Sequence, residues 1–290
     1  MNPRTPLLAF LCLLCAACES TRKDDPGPAP SKNVSAETNR PGEHPRPLSP
    51  HPTREEAWFG FADSTGTRLI CPTPDTLPEG PYFLAALNGV PAPLTYVGHQ
   101  TRSARWNGRA TSQNFGLVGG HLFSAPQAGL EPDKTYLVVT KRFLDSHHPV
   151  PASAGDCQEL GTDIPSLAWA AKERRIRTAW NLASLPNGYI ATLVYAGAPP
   201  LAALVVARGD SSLRETFRGV ASGDSSSTWR VDDGGVFDGC NLQALAVFSS
   251  TKGTEIAYAW GAFEGEGAAL LQPSADTFTV EVSGSRYWSP

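Results

Sequence analysis

The sequence predicts a mainly β body of sandwich or barrel type, either one large domain or two β subdomains joined by one helix over about 163–180. Three observations carry this. Apolar residues recur at every second position in many segments, the period of a strand with one buried face. Gly, Pro, Asn and Asp interrupt those segments at short intervals, as hairpin-rich folds require. One segment alone carries the apolar spacing of a helix.

In chain order, the first strand candidates are "AWFGFA", "YFLAAL", "PLTYVGH" and "TYLVVTKRF", within a first subdomain expected over 55–160. "TDIPSLAWAAKERRIRTAW" supplies the helix: a Thr162 or Asp163 cap, Pro165 near the first turn, and apolar residues at 164, 167, 168 and 171. Lys172, Arg174, Arg175 and Arg177 read as its solvated face, and a connector is expected over 161–184. The second subdomain, 185–290, opens with "GYIATLVYAGAPPLAALVVARGD", two buried strands joined by a Gly/Pro turn. "QALAVFSSTKGTEIAYAW" gives two runs around Lys252-Gly253, with Ile256, Tyr258 and Trp260 on one face. "DTFTVEVSG" puts Phe278, Val280 and Val282 on a common face by strict alternation.

The N-terminal part differs in kind. "MNPRTP" carries Arg4, and Leu7 to Ala17 form an unbroken apolar run. A basic start, a short apolar segment and small residues describe a secretory leader, here residues 1–17. The run is shorter than the roughly 20 residues a membrane span needs. That context also argues against metal or redox chemistry for Cys12, Cys15 and Cys18, whose spacing alone would suggest it. Residues 18–54 are rich in Pro, Ser, Gly and charge, too apolar-poor to offset the entropy of ordering. They read as a disordered tether, with a reach of roughly 110 Å if fully extended. His44 and His51 fall within it as solvated residues.

"CAAC" at the end of the apolar run resembles the lipobox of bacterial lipoprotein signal peptides. Ala16 and Ala17 match its small positions and Cys18 its lipid-modified cysteine, while Cys15 stands where the family usually has Leu. The resemblance implies a chain anchored to the membrane through acylated Cys18 in the bacterial cell envelope. Glu19, rather than Asp, after that cysteine implies the outer membrane. Each buried methylene contributes about 0.8 kcal/mol, so two or more chains hold stably. "GLEPDKTYLVV" resembles the tyrosine-corner region of fibronectin-like and immunoglobulin-like domains, with Leu130, Pro132 and Tyr136 matching; Tyr136 would open a core strand.

An exported chain meets oxidising conditions, so a disulfide is expected among Cys71, Cys157 and Cys240. Cys71–Cys157 is the expected pair, because it stays within the first half. Cys240 would then be buried and inert, or pair instead with either of the others.

For function, the formal net charge of −4 offers no electrostatic footprint for nucleic acid. The chain has no G-x-S-x-G elbow and no H-E-x-x-H zinc spacing. "SSTK" at 249–252 has the S-x-x-K spacing but falls in a hairpin pattern with no K-T-G after it. His147 and His148 beside Asp145 read as a surface loop, and Asp232, Asp233 and Asp238 as an Asp-Gly turn without EF-hand spacing. Gly265-x-Gly267 lacks a third glycine. "RSARWNGR" groups Arg105, Trp106 and Arg109 at an Asn-Gly turn, and an exposed Trp among arginines can bind an anionic glycan. Trp106 packed under its arginine stems is the plainer reading. No cofactor is expected. The sequence thus points to an envelope lipoprotein whose body binds a protein or a glycan, or has a structural role, without catalysis. The rival is an extracytoplasmic hydrolase whose active residues meet only in the fold.

Overall fold

The computed structural model describes residues 56–288 except 74–75, 161–166, 168–169, 171–173, 210, 220–236 and 262–263. Cys18, Glu19, the leader and the tether lie outside the described residues, as do Asp232 and Asp233. The body is mainly β, and its strands sort into a closed barrel and a larger curled sheet.

Strands β1 (Ala57–Ala62), β2 (Arg68–Cys71), β3 (Tyr82–Ala85), β4 (Ala92–Gln100), β5 (Gly120–Ser124) and β6 (Thr135–Thr140) close in the order β1-β2-β5-β4-β3-β6. All neighbours are antiparallel. Alternation sets the lining: Trp58, Ala62, Leu69, Tyr82, Leu84, Phe123 and Val138 fill the interior. The intervening residues of β1 are also covered: Ala57 and the half-buried Phe59 pack on the second sheet, and Phe61 lies under residues 101–119. Two covered faces explain why "AWFGFA" lacks a polar phase. In β4 only Leu94 is buried, since its outer face meets solvent.

Helix α1 (Lys141–Ser146) follows, capped by the Thr140 hydroxyl accepting from Phe143 N–H at 3.0 Å. It leads into β7 (His148–Pro149), β8 (Ser153–Ala154), β9 (Glu159–Leu160), β10 (Ile176–Leu185), β11 (Gly188–Tyr195), β12 (Leu201–Arg208), β13 (Ser211–Arg218), β14 (Leu242–Ser250), β15 (Gly253–Gly261), β16 (Gly265–Ser274) and β17 (Thr277–Tyr287). These form one 11-stranded sheet of two antiparallel meanders, β10–β13 and β14–β17. A single parallel pairing, Arg214 with Thr277, joins them. The sheet curls so that Ile190, Leu204 and Val206 of one meander share a core with Val247, Ile256 and Leu271 of the other. The convex side of β14–β17 carries Ala246, Phe248, Ala257, Leu270 and Val282 against the barrel's Leu137 and Val139 and against Phe143 of α1.

Several expectations need correction. Residues 176–180 are strand, not helix. A bulge between Ile176 and Thr178 puts Ile176 and Ala179 on one face, so a three-residue apolar spacing arises inside a strand. Most of 161–173 lies outside the described residues. Strands β7, β8 and β9, all before residue 161, pair with the larger sheet. In β17 strict alternation fails as well. Leu270 and Leu271 pair with Val282 and Val280, leaving Glu281 as the bulged residue. Phe278 and Val280 therefore face the concave core, and Val282 faces the barrel.

The disulfide is Cys157–Cys240, with Cα atoms 5.7 Å apart, and not Cys71–Cys157. Cys71 points into the barrel opposite His121 and is a buried free thiol. Cys157 lies between β8 and β9, which cover the β10 edge, and Cys240 immediately precedes β14. The bridge laces the two ends of the curled sheet. Closeness in the fold, not in the chain, chose the pair.

Candidate functional site

The described residues enclose a small cleft of about 170 Å³ between β1 and the β16–β17 hairpin. Gly284 allows this approach: a Cβ there would lie 2.9 Å from Phe59 Cβ. At the cleft floor Arg286 is 9% exposed. Its Nε donates to Glu266 Oε2 at 2.8 Å and to Thr135 Oγ1 at 2.9 Å, and Nη2 lies 2.7 Å from Glu266 Oε2. Nη2 also donates to the Asp133 carbonyl and Nη1 to the Ala110 carbonyl at 3.5 Å. The Thr135 hydroxyl donates to Glu266. The guanidinium sits 5.5 Å from the Phe61 ring and 4.9 Å from the Trp288 ring. Arg286 thus ties the barrel, its covering segment and the sheet together. A buried charge with most of its donors occupied suits a joint better than a reacting centre.

A second buried polar cluster lies where α1 meets β14 and β15. His147 is stacked on Phe143 with ring centroids 4.0 Å apart, and its Nε2 is 3.5 Å from Glu255 Oε2. Glu255 is fully buried and accepts from Ser250 Oγ at 2.7 Å. Gln272 Nε2 reaches the same carboxylate oxygen at 3.4 Å, and Lys252 Nζ donates to Gln272 at 2.6 Å. Ser146 Oγ lies 2.8 Å from His147 Nδ1, so Ser146, His147 and Glu255 form a row that superficially matches a hydrolytic triad. The same contacts also close the end of α1: the Phe143 carbonyl accepts from the Ser146 hydroxyl at 3.2 Å and from the His147 backbone N–H at 2.9 Å.

Arg105, Trp106 and Arg109 lie on residues 101–119, the connection between β4 and β5. Trp106 is half-buried, its Nε1 donates to the Arg109 carbonyl at 2.9 Å, and the Arg102 guanidinium lies 4.4 Å from the ring centroid. Its indole packs against the cluster of Phe61, Ile70 and Phe115.

Other singled-out residues fall apart or prove structural. Ser249 and Lys252 flank the β14–β15 turn, and the Lys252 amine is committed to Gln272. Asp145 pairs with Lys141 within α1. His147 is buried while His148 is exposed, so the adjacent pair cannot share one ion. His99 and His121 are cross-strand partners, and His121 Nδ1 is 3.0 Å from the Tyr96 hydroxyl. Asp238 Oδ1 accepts from Cys240 N–H, capping a short 3-10 turn. Gly265 and Gly267 sit in β16, paired to β17, with no phosphate-cradling loop. The Tyr136 hydroxyl accepts from Glu131 N–H at 2.7 Å, the local geometry of a tyrosine corner, here at the rim of a closed barrel. Burial pushes the Cys71 thiol far up, so it stays protonated at neutral pH. Among the described residues no three His, Cys, Asp or Glu side chains are placed to hold a metal, and no helix is long and apolar enough to cross a membrane.

Arg286, Glu266, Thr135 and Glu255 were not singled out in the sequence. Glu266 sits inside the Gly265-x-Gly267 segment, and its partner Thr135 is 131 residues away in the chain. No local pattern could have linked them. No protein-family model, curated protein or solved structure matches this chain.

Proposed function

We propose that this chain is a membrane-anchored envelope lipoprotein whose β-rich body binds a partner or serves as a structural piece, without catalysis. The leader, the lipobox-like "CAAC" and the Pro-rich tether support the anchor, with acylated Cys18 as its attachment and the outer membrane as its site. One observation in the body carries the rest. The charged groups of its cleft, Arg286 and Glu266, are bonded to each other and to the surrounding frame. The rival hydrolase reading draws on the Ser146–His147–Glu255 row, whose Ser146 hydroxyl also donates to the Phe143 carbonyl at the end of α1.

The test is fractionation of cells expressing Cys18→Ala. The variant should leave the membrane fraction and lose fatty-acid labelling, while the parent chain shows an acylated mature N-terminus by mass spectrometry. Retention of label and membrane association in the variant would reject the anchor.

A further inference from the structure

The connection between β4 and β5 is longer than a hairpin needs. It is also fastened throughout. Gln100 Nε2 donates to the Phe115 carbonyl at 2.8 Å and the Val118 carbonyl at 2.6 Å. Ser103 N–H reaches Leu117 O at 3.0 Å, and Ala110 N–H reaches Tyr287 O at 2.7 Å. Asp133 accepts from Ser112 N–H at 2.5 Å and Ser112 Oγ at 2.6 Å. Phe115, Val118 and Ala110 form its buried underside on Phe61 and Ile70. Covering the barrel wall accounts for that apolar underside. It does not account for Arg102 and Arg105, which are exposed, or for Arg109, which is half-buried.

Among the described residues none of these three arginines meets a carboxylate. Asp133, which holds Ser112 of the segment, is itself paired with Arg286. Three uncompensated guanidiniums thus share one fixed segment of a chain whose formal net charge is −4. Long ordered connections of this kind are commonly functional.

We propose that the outer side of residues 101–119 binds an anionic polysaccharide through Arg102, Arg105 and Arg109. The inference deepens the reading of the body as a binding module and rests on it. Two features select a soluble polyanion over other anions. Among the described residues the exposed large apolar side chains are Val90, Tyr96, Val97 and Tyr287, so the segment itself carries none to insert into a bilayer. Trp106 is covered by Arg102 and tied at its N–H, so it is not a free aromatic anchor of the kind protein interfaces favour. What remains is a hydrogen-bonded segment carrying three guanidiniums, whose forks match the carboxylate or phosphate groups that repeat along a polyanion.

The test uses the full-length Cys18→Ser chain, so that no acyl group contributes to binding. Probes are polygalacturonate, neutral dextran and phosphatidylglycerol vesicles. Polygalacturonate should bind at about 20 mM salt and be released by about 500 mM, as charge screening requires. R105E/R109E should weaken it at least tenfold without lowering Tm. R177E/R218E alters net charge equally on exposed strand positions of the other sheet, and should keep binding within threefold. Three results would overturn the proposal: no polygalacturonate binding at low salt, equal loss in both double variants, or tighter capture by vesicles than by polysaccharide. The membrane-release assay on Cys18→Ala is independent of this, so failure here leaves the anchor standing.

Discussion

The barrel and the curled sheet solve the same problem in different ways. Both must satisfy strand edges, since an unpaired edge exposes backbone donors and acceptors. The barrel does it by closure: β6 returns to pair with β1 over five register positions, Ala57 to Phe61. The sheet curls but leaves a seam. Short strands β8 and β9 cover part of β10, and β7 covers two positions of β14. Residues 239–241 pack across the seam, where a Cβ on Gly239 would fall 2.3 Å from Thr192 Oγ1 and from the Trp180 ring. Cys157–Cys240 then fixes it covalently. A closed ring holds itself by hydrogen bonds. A seam between residues far apart in the chain carries a large closure entropy, which a crosslink removes from the unfolded state.

Three experiments would break or sharpen this contrast, from the largest effect to the smallest. Phe248 is buried where the sheet meets the barrel and stands edge-on to Phe143 at 5.1 Å. Phe248→Ala should destabilise the body by about 3–5 kcal/mol in denaturant unfolding. It should also split one transition into two, because it removes contacts between two otherwise complete cores. A single transition with full amplitude would mean that the barrel and the sheet do not unfold separately.

Removing the bridge with C157S/C240S should reduce stability by about 2–4 kcal/mol. Hydrogen exchange should quicken in β10, β11 and β14 but not in β1 or β6. Uniform acceleration would show that the seam is not where the crosslink acts.

Asp63 offers the smallest effect and the matching test of the barrel. It caps the turn between β1 and β2, accepting from Thr65 Oγ1 at 2.9 Å, Thr67 N–H at 3.1 Å, Arg68 N–H at 3.3 Å and Arg68 Nε at 2.9 Å. Burial alone would raise its carboxyl, but the Arg68 guanidinium, the Thr65 hydroxyl and the two backbone donors outweigh it and hold the group below the usual range. A carboxyl depressed by folding stabilises above its unfolded pKa, and that contribution fades as pH falls through the folded value. Asp63→Asn should therefore cost about 1–3 kcal/mol at neutral pH. The gap between parent and variant should shrink below about pH 4. A gap that stays constant in acid would assign the effect to shape instead of charge.

The fold class was legible because strands announce themselves locally. Ile256, Tyr258 and Trp260 share a face as alternation requires, and the two-residue turn before Gly253 makes the hairpin. Where a bulge intervenes, the same rule misleads. Glu281 moves Val282 from the core to the barrel interface, and Arg177 is the extra residue that brings Ile176 and Ala179 to one face of β10. The extra residue in a bulge is set by the partner strand, so its own segment does not reveal it. The cleft was hidden for a related reason. Arg286 and Thr135 are 151 positions apart, and only sheet curvature and barrel closure bring them within 2.9 Å. Arg105, Trp106 and Arg109 were visible because they are neighbours in the chain, though not that Arg102 would cover the indole.

By itself the sequence determined what depends on neighbours: alternation, turns and the grouping of arginines around Trp106, since each is a property of a few consecutive side chains. The tertiary structure alone decided which strands closed a ring, which two cysteines met, and which acid received Arg286. Those outcomes depend on contacts between distant segments, and their geometry exists only once two cores have packed against each other.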